Sequence, residues 1–389
     1  MVIWEGQTYS KSEFQKKFGE LGEQLMREGE IGFYEDHFRG PFARNMSCME
    51  IRSKKDFGVR LAPERALEVL EVRLDQNIPP FQKGRSALFE SYSGVCHPFY
   101  LNYHGLGVLF GLQGFFTCGP DNVGGFSPEY TLHGYFTWLP VKSIRQQIFW
   151  DGDELLFEVK GTIDCQRIVT GPYIIVERVV TVPLGQRNFR ITDTLTATHD
   201  TDIMWKYHPN FKLAPGAQLV TGAKRVIARD KDADHDLENW NKFPVIDDEL
   251  PEKVYRLECV SAEGIEDVAD GTIINALLYE NNNAGIYVSY NSEEFTGPLS
   301  FLTIWRNTRD GALGIEPGST VMGRHYAEKN DLCLKLCKGE SRSLSVEIGF
   351  LTTREEVRKI RDKITLILGG KKTALPEIIF SGDKNFPFL

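Results

Sequence analysis

Hydrophobic and polar positions alternate with a period of two over much of this chain, a pattern that predicts β-strands. The runs that add β-branched and aromatic residues to this alternation are FEVKGTI, YIIVERVVTV, FRITDTLTAT, KVYRLECV, TIINALLY, GIYVSY and SLSVEIGF. Turn signals such as Asp151-Gly152 and Pro317-Gly318 separate several of them. Strands do not alternate with helices, so a parallel nucleotide-binding sheet is not expected. The chain is therefore predicted to be mostly β and antiparallel.

A helical spacing of hydrophobic residues occurs near each end of the chain. Between Ser12 and Met26, apolar residues recur every three or four positions, which predicts a helix. Near the other end, Thr353 stands three residues before Glu356, and this capping box predicts the start of a second helix. Both helices are expected to be peripheral to the strands.

The 389 residues are interpreted as one large β domain with helical decoration. We expect an N-terminal helical extension over residues 1–45 and a single domain over residues 46–389 that includes the C-terminal helix. The polar, acidic stretch Asp230–Glu252 is expected to be a long insertion or a lid. The predicted architecture is a large antiparallel β-sandwich with a few peripheral helices.

Composition restricts the class of partner. Hydrophobic residues make up 41% and charged residues 25% of the chain, as in globular proteins. The formal net charge of -9 argues against nucleic acids and anionic membranes, which attract basic surfaces, and suits a neutral polar ligand. The seven cysteines form no CxxC pair, so neither a zinc site nor a disulfide framework is indicated. With no basic, apolar leader at the N-terminus, a cytoplasmic location is expected.

The segment Ile203–Phe211 contains an unusual row of polar residues. If it is a strand, Lys206, His208 and Asn210 share one face. Burying such a row without partners would be costly, so it is expected to face water or a ligand site. Pro209 within the run predicts an edge strand or a bulge.

Two further polar residues have contexts that suit a site. His133 follows a glycine-rich segment, and glycines allow the backbone to approach a ligand closely. A loop histidine that bonds a nearby carbonyl fits the same position. Glu316 alternates with the apolar Leu313 and Ile315 and precedes a Pro-Gly turn, which suits either a site or an exposed strand position.

The order of three motifs makes this chain resemble the aldose 1-epimerase (galactose mutarotase) superfamily, in its uncharacterised bacterial branch. The motifs are Leu132-His133-Gly134, His208-Pro209-Asn210 and Ile315-Glu316-Pro317. The stretch Phe116-Thr117-Cys118-Gly119 with Asn122 points to that branch. The resemblance covers about Gly58 to Thr352 and departs from the family where Tyr135 replaces a second glycine and Pro317-Gly318 replaces Thr-Gln.

The resemblance implies a galactose mutarotase-like supersandwich and an enzyme that interconverts the anomers of a free sugar without a cofactor or a metal. It implies Glu316 as the general base and His208 as the general acid. The expected substrate-binding residues are His133, Asn122, Asn210, Trp305 and Arg306. Trp305 would stack on a sugar face, and Arg306 would bond hydroxyls or an acidic substituent.

Other classes of function use the same residues differently. A non-catalytic carbohydrate-binding protein would keep the contacts without turnover. A metal-dependent sugar isomerase would use His133, His208 and Glu316 as ligands. A glycoside hydrolase usually needs two opposed carboxylates, and only Glu316 stands out here. A homodimer is expected only because such assemblies are common.

Overall fold

The computed structural model describes most of the chain, apart from several loops and both termini. The described residues are 2–4, 7–37, 47–54, 56–74, 114–119, 133–166, 172–213, 216–243, 252–279, 283–295, 302–308, 312–320, 323–369 and 377–380.

Strands dominate these ranges, as the alternating pattern predicts. They are β1 Val2–Trp4, β2 Gln7–Tyr9, β3 Gly32–His37, β4 Ser47–Lys54, β5 Phe57–Ala62, β6 Glu68–Leu74, β7 Gly114–Phe115, β8 Ser143–Asp151, β9 Glu154–Gln166, β10 Pro172–Pro183, β11 Asn188–Ala197, β12 Thr201–Ile203, β13 Trp205–Lys206, β14 Asn210–Lys212, β15 Gln218–Thr221, β16 Ala223–Ala228, β17 Glu252–Cys259, β18 Thr272–Tyr279, β19 Ala284–Asn291, β20 Leu302–Asn307, β21 Ala312–Pro317, β22 Leu334–Leu336, β23 Ser341–Leu351 and β24 Glu377–Phe380.

Three sheets form the body of the fold. The largest has the strand order β15-β18-β19-β23-β11-β10-β9-β8, the second β14-β21-β20-β17-β16-β24, and the third β3-β4-β5-β6. Neighbouring strands pair antiparallel, except β16 with β24, which are parallel. Apolar residues from all three sheets meet in one core cluster, represented by Ile51, Val176 and Ile304. The prediction of a large antiparallel β-sandwich is confirmed.

The two predicted helices are present with their caps. The described helices are α1 Lys11–Arg27, α2 Lys231–Asp234, α3 Arg324–Lys329 and α4 Arg354–Ile367. Ser10 and Glu13 form a capping box at the start of α1, and Thr353 and Glu356 form one at the start of α4. Across the described ranges, no helix has both the length and the apolarity needed to cross a membrane.

The β3–β4 pair runs across the predicted domain boundary at residue 45. Gly32–His37 lies before it and pairs antiparallel with Ser47–Lys54 after it. The described part of the acidic stretch that begins at Asp230 contains α2 and a short 3-10 helix, Leu237–Asn239. Residues on both sides of the predicted boundary therefore pair within one sheet.

The segment predicted as one strand over residues 203–211 is divided between sheets. β12 pairs with β22, β13 pairs with β7, and β14 pairs with β21 at the edge of the second sheet. The breaks lie at Met204 and at residues 207–209, and in the second of these Pro209 cannot donate to a ladder. β14, which begins directly after Pro209, lies at a sheet edge, and the segment considered as one strand consists of three short pieces.

A buried polar network fixes the middle of this segment. The Tyr207 hydroxyl oxygen lies 2.8 Å from Asp193 Oδ2 and 3.0 Å from the Leu344 carbonyl oxygen, and its single proton is shared between these two acceptors. Arg178 holds the same carboxylate at 2.7 and 2.9 Å, and all three polar side chains are fully buried. Because a broken buried pair is costly, this network anchors the backbone immediately before His208.

Candidate active site

The candidate site lies on one face of the second sheet, where β14, β21 and β20 lie side by side. Asn210 pairs with Gly314, and Glu316 pairs with Thr303. Directly paired residues project from the same face, and His208 stands two residues before Asn210. The side chains of His208, Asn210, Glu316 and Thr303 are all less than a tenth exposed. The sequence therefore builds a buried polar row at the edge of an apolar sandwich.

An acid–base pair forms the centre of this row. His208 Nε2 lies 3.0 Å from Glu316 Oε1. On the other side of the carboxylate, Lys206 Nζ lies 3.3 Å from Glu316 Oε2 and donates to Thr303 Oγ1 at 3.0 Å. The two residues expected to act as acid and base are thus brought together.

The charges around Glu316 keep it ionised. Burial alone would raise the pKa of its carboxyl group, since it disfavours the charged form. The charges of His208 and Lys206 act against burial and lower the pKa to about 2. Glu316 is therefore a carboxylate at neutral pH.

His133 lies beside this pair and has a neutral imidazole. Its ring centroid lies 5.3 Å from that of His208, with an interplanar angle of 78°. The Gly119 N–H donates to His133 Nδ1 at 3.3 Å, so Nδ1 accepts and Nε2 carries the proton. Burial and the neighbouring His208 lower the pKa of His133 well below its usual value. His133 can therefore donate from Nε2 without carrying a charge.

A glycine turn places His133 there. Gly134 has a φ of +73°, and a Cβ at this position would lie 2.1 Å from the Phe115 carbonyl oxygen. The Phe115 N–H also donates to the His133 carbonyl at 3.2 Å. Only glycine accepts this left-handed backbone conformation so close to the Phe115 backbone, which explains why a glycine follows His133.

A second glycine makes room for the acid–base pair. A Cβ on Gly314 would lie 2.5 Å from Glu316 Oε1 and 3.0 Å from His208 Cε1.

His208 Nδ1 is buried and has no hydrogen-bond partner within the ranges that the structure describes. Because a buried polar atom normally finds a partner, this nitrogen has capacity for a ligand hydroxyl or a water molecule.

Trp305 lies beside the same pair. Its ring centroid is 5.8 Å from that of His208, and its indole N–H donates to Glu252 Oε2 at 3.2 Å. Its cross-strand partner is Gly314, so it projects from the face that carries Glu316. The position suits an aromatic platform beside the acid.

Arg306 lies on the opposite face of β20, because successive residues of a strand alternate. Its guanidinium contacts Asp236 and donates to the carbonyls of Asn239 at 3.4 Å and Lys242 at 3.2 Å. It also faces the Phe243 ring at 5.6 Å. This position does not match the expectation that Arg306 bonds sugar hydroxyls. The contacts instead tie the acidic segment to the sheet.

Other expected residues lie outside what the structure describes. Asn122 and the acidic residues Asp247 and Asp248 belong to undescribed ranges. Within the described ranges, no three His, Cys, Asp or Glu side chains are placed to hold a metal ion. Lys206 also pairs with one carboxylate oxygen of Glu316. This contact disfavours the alternative in which His133, His208 and Glu316 together bind a metal ion.

Sequence reasoning placed Lys206 in the polar row with His208 but gave it no role, and it did not find Thr303. Lys206 shares the alternation of His208, and that signal was available in the sequence. Thr303 contacts the site only through its register against Glu316, which no local pattern specifies.

Comparisons with known proteins agree on the fold. Residues 43–350 match the family described as Domain of unknown function (DUF4432). A solved structure from Klebsiella pneumoniae, provisionally described as an aldose 1-epimerase, has a TM-score of 0.75 at 17% identity, covering 90% of this chain and 89% of its own. The galactose 1-epimerase from Lactobacillus acidophilus has a TM-score of 0.53 at 12% identity, covering 83% and 99%. No curated protein matches the sequence. These likenesses show a galactose mutarotase-like sandwich.

Proposed function

This chain belongs to the DUF4432 family, and we propose that it is an aldose 1-epimerase-like enzyme that interconverts the anomers of a free sugar or sugar derivative. The observation that carries the proposal is the buried pair of His208 and Glu316, 3.0 Å apart on a mutarotase-like sandwich. An anomeric hydroxyl and a ring oxygen are bonded to the same carbon. An acid and a base that serve both atoms therefore have to stand close together.

The reaction needs only proton transfers. Glu316 takes the proton of the anomeric hydroxyl as the C1=O bond forms, the bond between C1 and the ring oxygen breaks, and His208 protonates that oxygen. Rotation about C1–C2 turns the other face of the aldehyde to the hydroxyl. The same two residues then exchange protons in reverse as the ring closes.

Proton transfers at His208 and Glu316 are electrostatically coupled. The charge of His208 contributes to the low pKa of Glu316. When His208 gives its proton to the ring oxygen, that contribution disappears and Glu316 becomes a stronger base. Proton donation by one residue therefore promotes proton acceptance by the other.

The remaining side chains bind the sugar in this proposal. The neutral His133 donates to a ring substituent, Asn210 bonds a hydroxyl, and Trp305 stacks on an apolar C–H face. Asn122 stays a predicted contact from the family resemblance. The acid–base pair by itself does not select one sugar.

A non-catalytic carbohydrate-binding protein is the second candidate. One observation favours it, because a carboxylate whose pKa is about 2 is a weak base at neutral pH. Such a protein would bind a sugar at the same face without accelerating the exchange of its anomers.

Saturation-transfer NMR over hexoses, pentoses, uronic acids and sugar phosphates distinguishes the two candidates. The enzyme is expected to raise the exchange rate between the anomeric protons of at least one sugar, and His208→Gln should abolish that increase. His235→Gln, at an exposed position, is the matched control that should keep it. Binding without enhanced exchange would support the second candidate, and neither binding nor exchange would contradict both.

A further inference from the structure

Lys206 is a buried ammonium group that the proton transfers above do not use. Its side chain is 1% exposed, and its charge is paired with Glu316 at 3.3 Å. Removing an ammonium group from water costs several kcal/mol even in a good pair. A lysine at this point therefore calls for a role that an apolar side chain could not supply.

The geometry around Glu316 gives its two oxygens different partners. Oε2 faces Lys206, whereas Oε1 faces His208 at 3.0 Å. Lys206 is itself held, because Nζ donates to Thr303 Oγ1 at 3.0 Å and its backbone bridges Gly318, just beyond β21. The segments 206–208, 303 and 316–318 therefore meet around one carboxylate.

We propose that Lys206 is a positioning residue that, anchored on Thr303, holds the Glu316 carboxylate in one orientation and presents Oε1 as the reactive oxygen. A carboxylate without this contact could rotate and exchange its oxygens. Acid–base groups that are displaced by about 1 Å can lose about 100-fold in rate. The catalytic consequence rests on the proposed function, whereas the fixed orientation and charge of Glu316 do not.

Lys206 also makes the pair less sensitive to acid. The titratable groups that act on Glu316 are His208, Lys206 and His133. The buried Cys118 thiol also lies close enough to sense its charge. Removing Lys206 leaves the cost of burial and deletes one favourable charge, so the pKa of Glu316 rises. By the usual effect of a nearby opposite charge, the expected rise is about one to three units.

The test follows the ionisation of Glu316 itself. The side-chain carboxyl carbons of glutamate are labelled with 13C, the Glu316 signal is identified by its loss in Glu316→Gln, and its titration is followed to the lowest pH at which the protein stays folded. Lys206→Met should titrate at higher pH than the wild type, and Lys206→Arg should stay close to it. Lys253→Met is the matched control, since Lys253 is similarly buried but pairs with Asp236 at 3.6 Å.

The outcomes separate this inference from the proposed function. A Lys206→Met titration that superimposes on the wild type overturns the positioning role, whatever the activity. If Lys206→Met does not fold, Thr303→Val removes only the anchor and should shift the titration in the same direction by less. An unchanged titration in that variant also counts against the proposal. Where exchange is measurable, Lys206→Met should lower kcat about 100-fold with little change in KM, and its acid limb should move to higher pH.

Discussion

His208 Nε2 lies 3.0 Å from Glu316 Oε1, although 108 positions separate the two residues along the chain. The contact depends on β14 pairing with β21 at the sheet edge and on the Tyr207 network that anchors the preceding residue. Both side chains are nearly inaccessible, at 3% and 2% exposure. Because the two side chains are close together and poorly hydrated, the charge of His208 lowers the pKa of Glu316.

Gly314→Ala should separate this pair while leaving the fold intact. The added methyl group would stand 2.5 Å from Glu316 Oε1, so the carboxylate has to move away from His208. We expect anomeric exchange to fall about 100-fold. The accompanying stability loss should be about 1–3 kcal/mol, too small to unfold the protein. Exchange rates and urea unfolding of the same preparation measure both effects.

Gly19→Ala is the matched glycine substitution for that experiment. Gly19 lies within α1, and an added Cβ would have no atom within 4 Å. We expect a gain of about 0.5–1 kcal/mol from the better helix former, and an unchanged exchange rate. Equal losses of exchange in both variants would mean that Gly314 has no special relationship to the site.

His133 should make the stability of the protein depend on pH. Its pKa in the folded protein lies well below the ordinary value, so below about pH 6.5 the unfolded chain binds a proton that the folded chain does not. The stabilisation is present above that pH and is lost as the pH falls. His133→Asn should lose less unfolding free energy than the wild type between about pH 7.5 and about pH 5.5, by at most about 1.4 kcal/mol per pH unit.

Urea titrations at the two pH values measure that difference. His235→Asn removes an exposed histidine and should keep the wild-type dependence. If His133→Asn and the wild type lose the same free energy on acidification, the buried neutral imidazole is not the cause.

Arg306→Met should reduce stability rather than sugar recognition. The substitution removes the contacts with Asp236 and with the carbonyls of Asn239 and Lys242, on the face opposite Glu316. Hydrogen bonds to charged groups contribute about 1.5–3 kcal/mol, and we expect a loss of that order in urea unfolding. A normal stability combined with a large loss of sugar affinity would instead indicate that Arg306 binds the sugar.

Much of the fold follows from local patterns. Alternation over β10 and β11 predicts the strands because inward and outward positions differ in polarity along each one. The capping boxes of α1 and α4 are equally local, since a cap and its partner lie three residues apart. The pairing of the segment around His208 with three different sheets is not local, so the sequence alone allowed it to be considered as one strand.

The residues of the site also divide into those with a local sequence signal and those placed only by strand pairing. His208 and Glu316 could be found because each lies in a motif whose order resembles a known family. Thr303 carries no motif and joins the site only by its register against Glu316. The structure places Arg306 on the face opposite Trp305, which alternation alone indicates, because adjacent residues of a strand project from opposite faces.

In the proposed function, Glu316 is the base of an anomer-interconverting enzyme. Saturation-transfer rates for the best sugar are compared between wild type, Glu316→Gln and Glu258→Gln, and the carboxylate of Glu258 pairs with Arg225 in the same sheet. We predict that Glu316→Gln loses about 100-fold to 10,000-fold in exchange at unchanged fold, whereas Glu258→Gln keeps the wild-type rate. Wild-type exchange in Glu316→Gln would exclude Glu316 as the base.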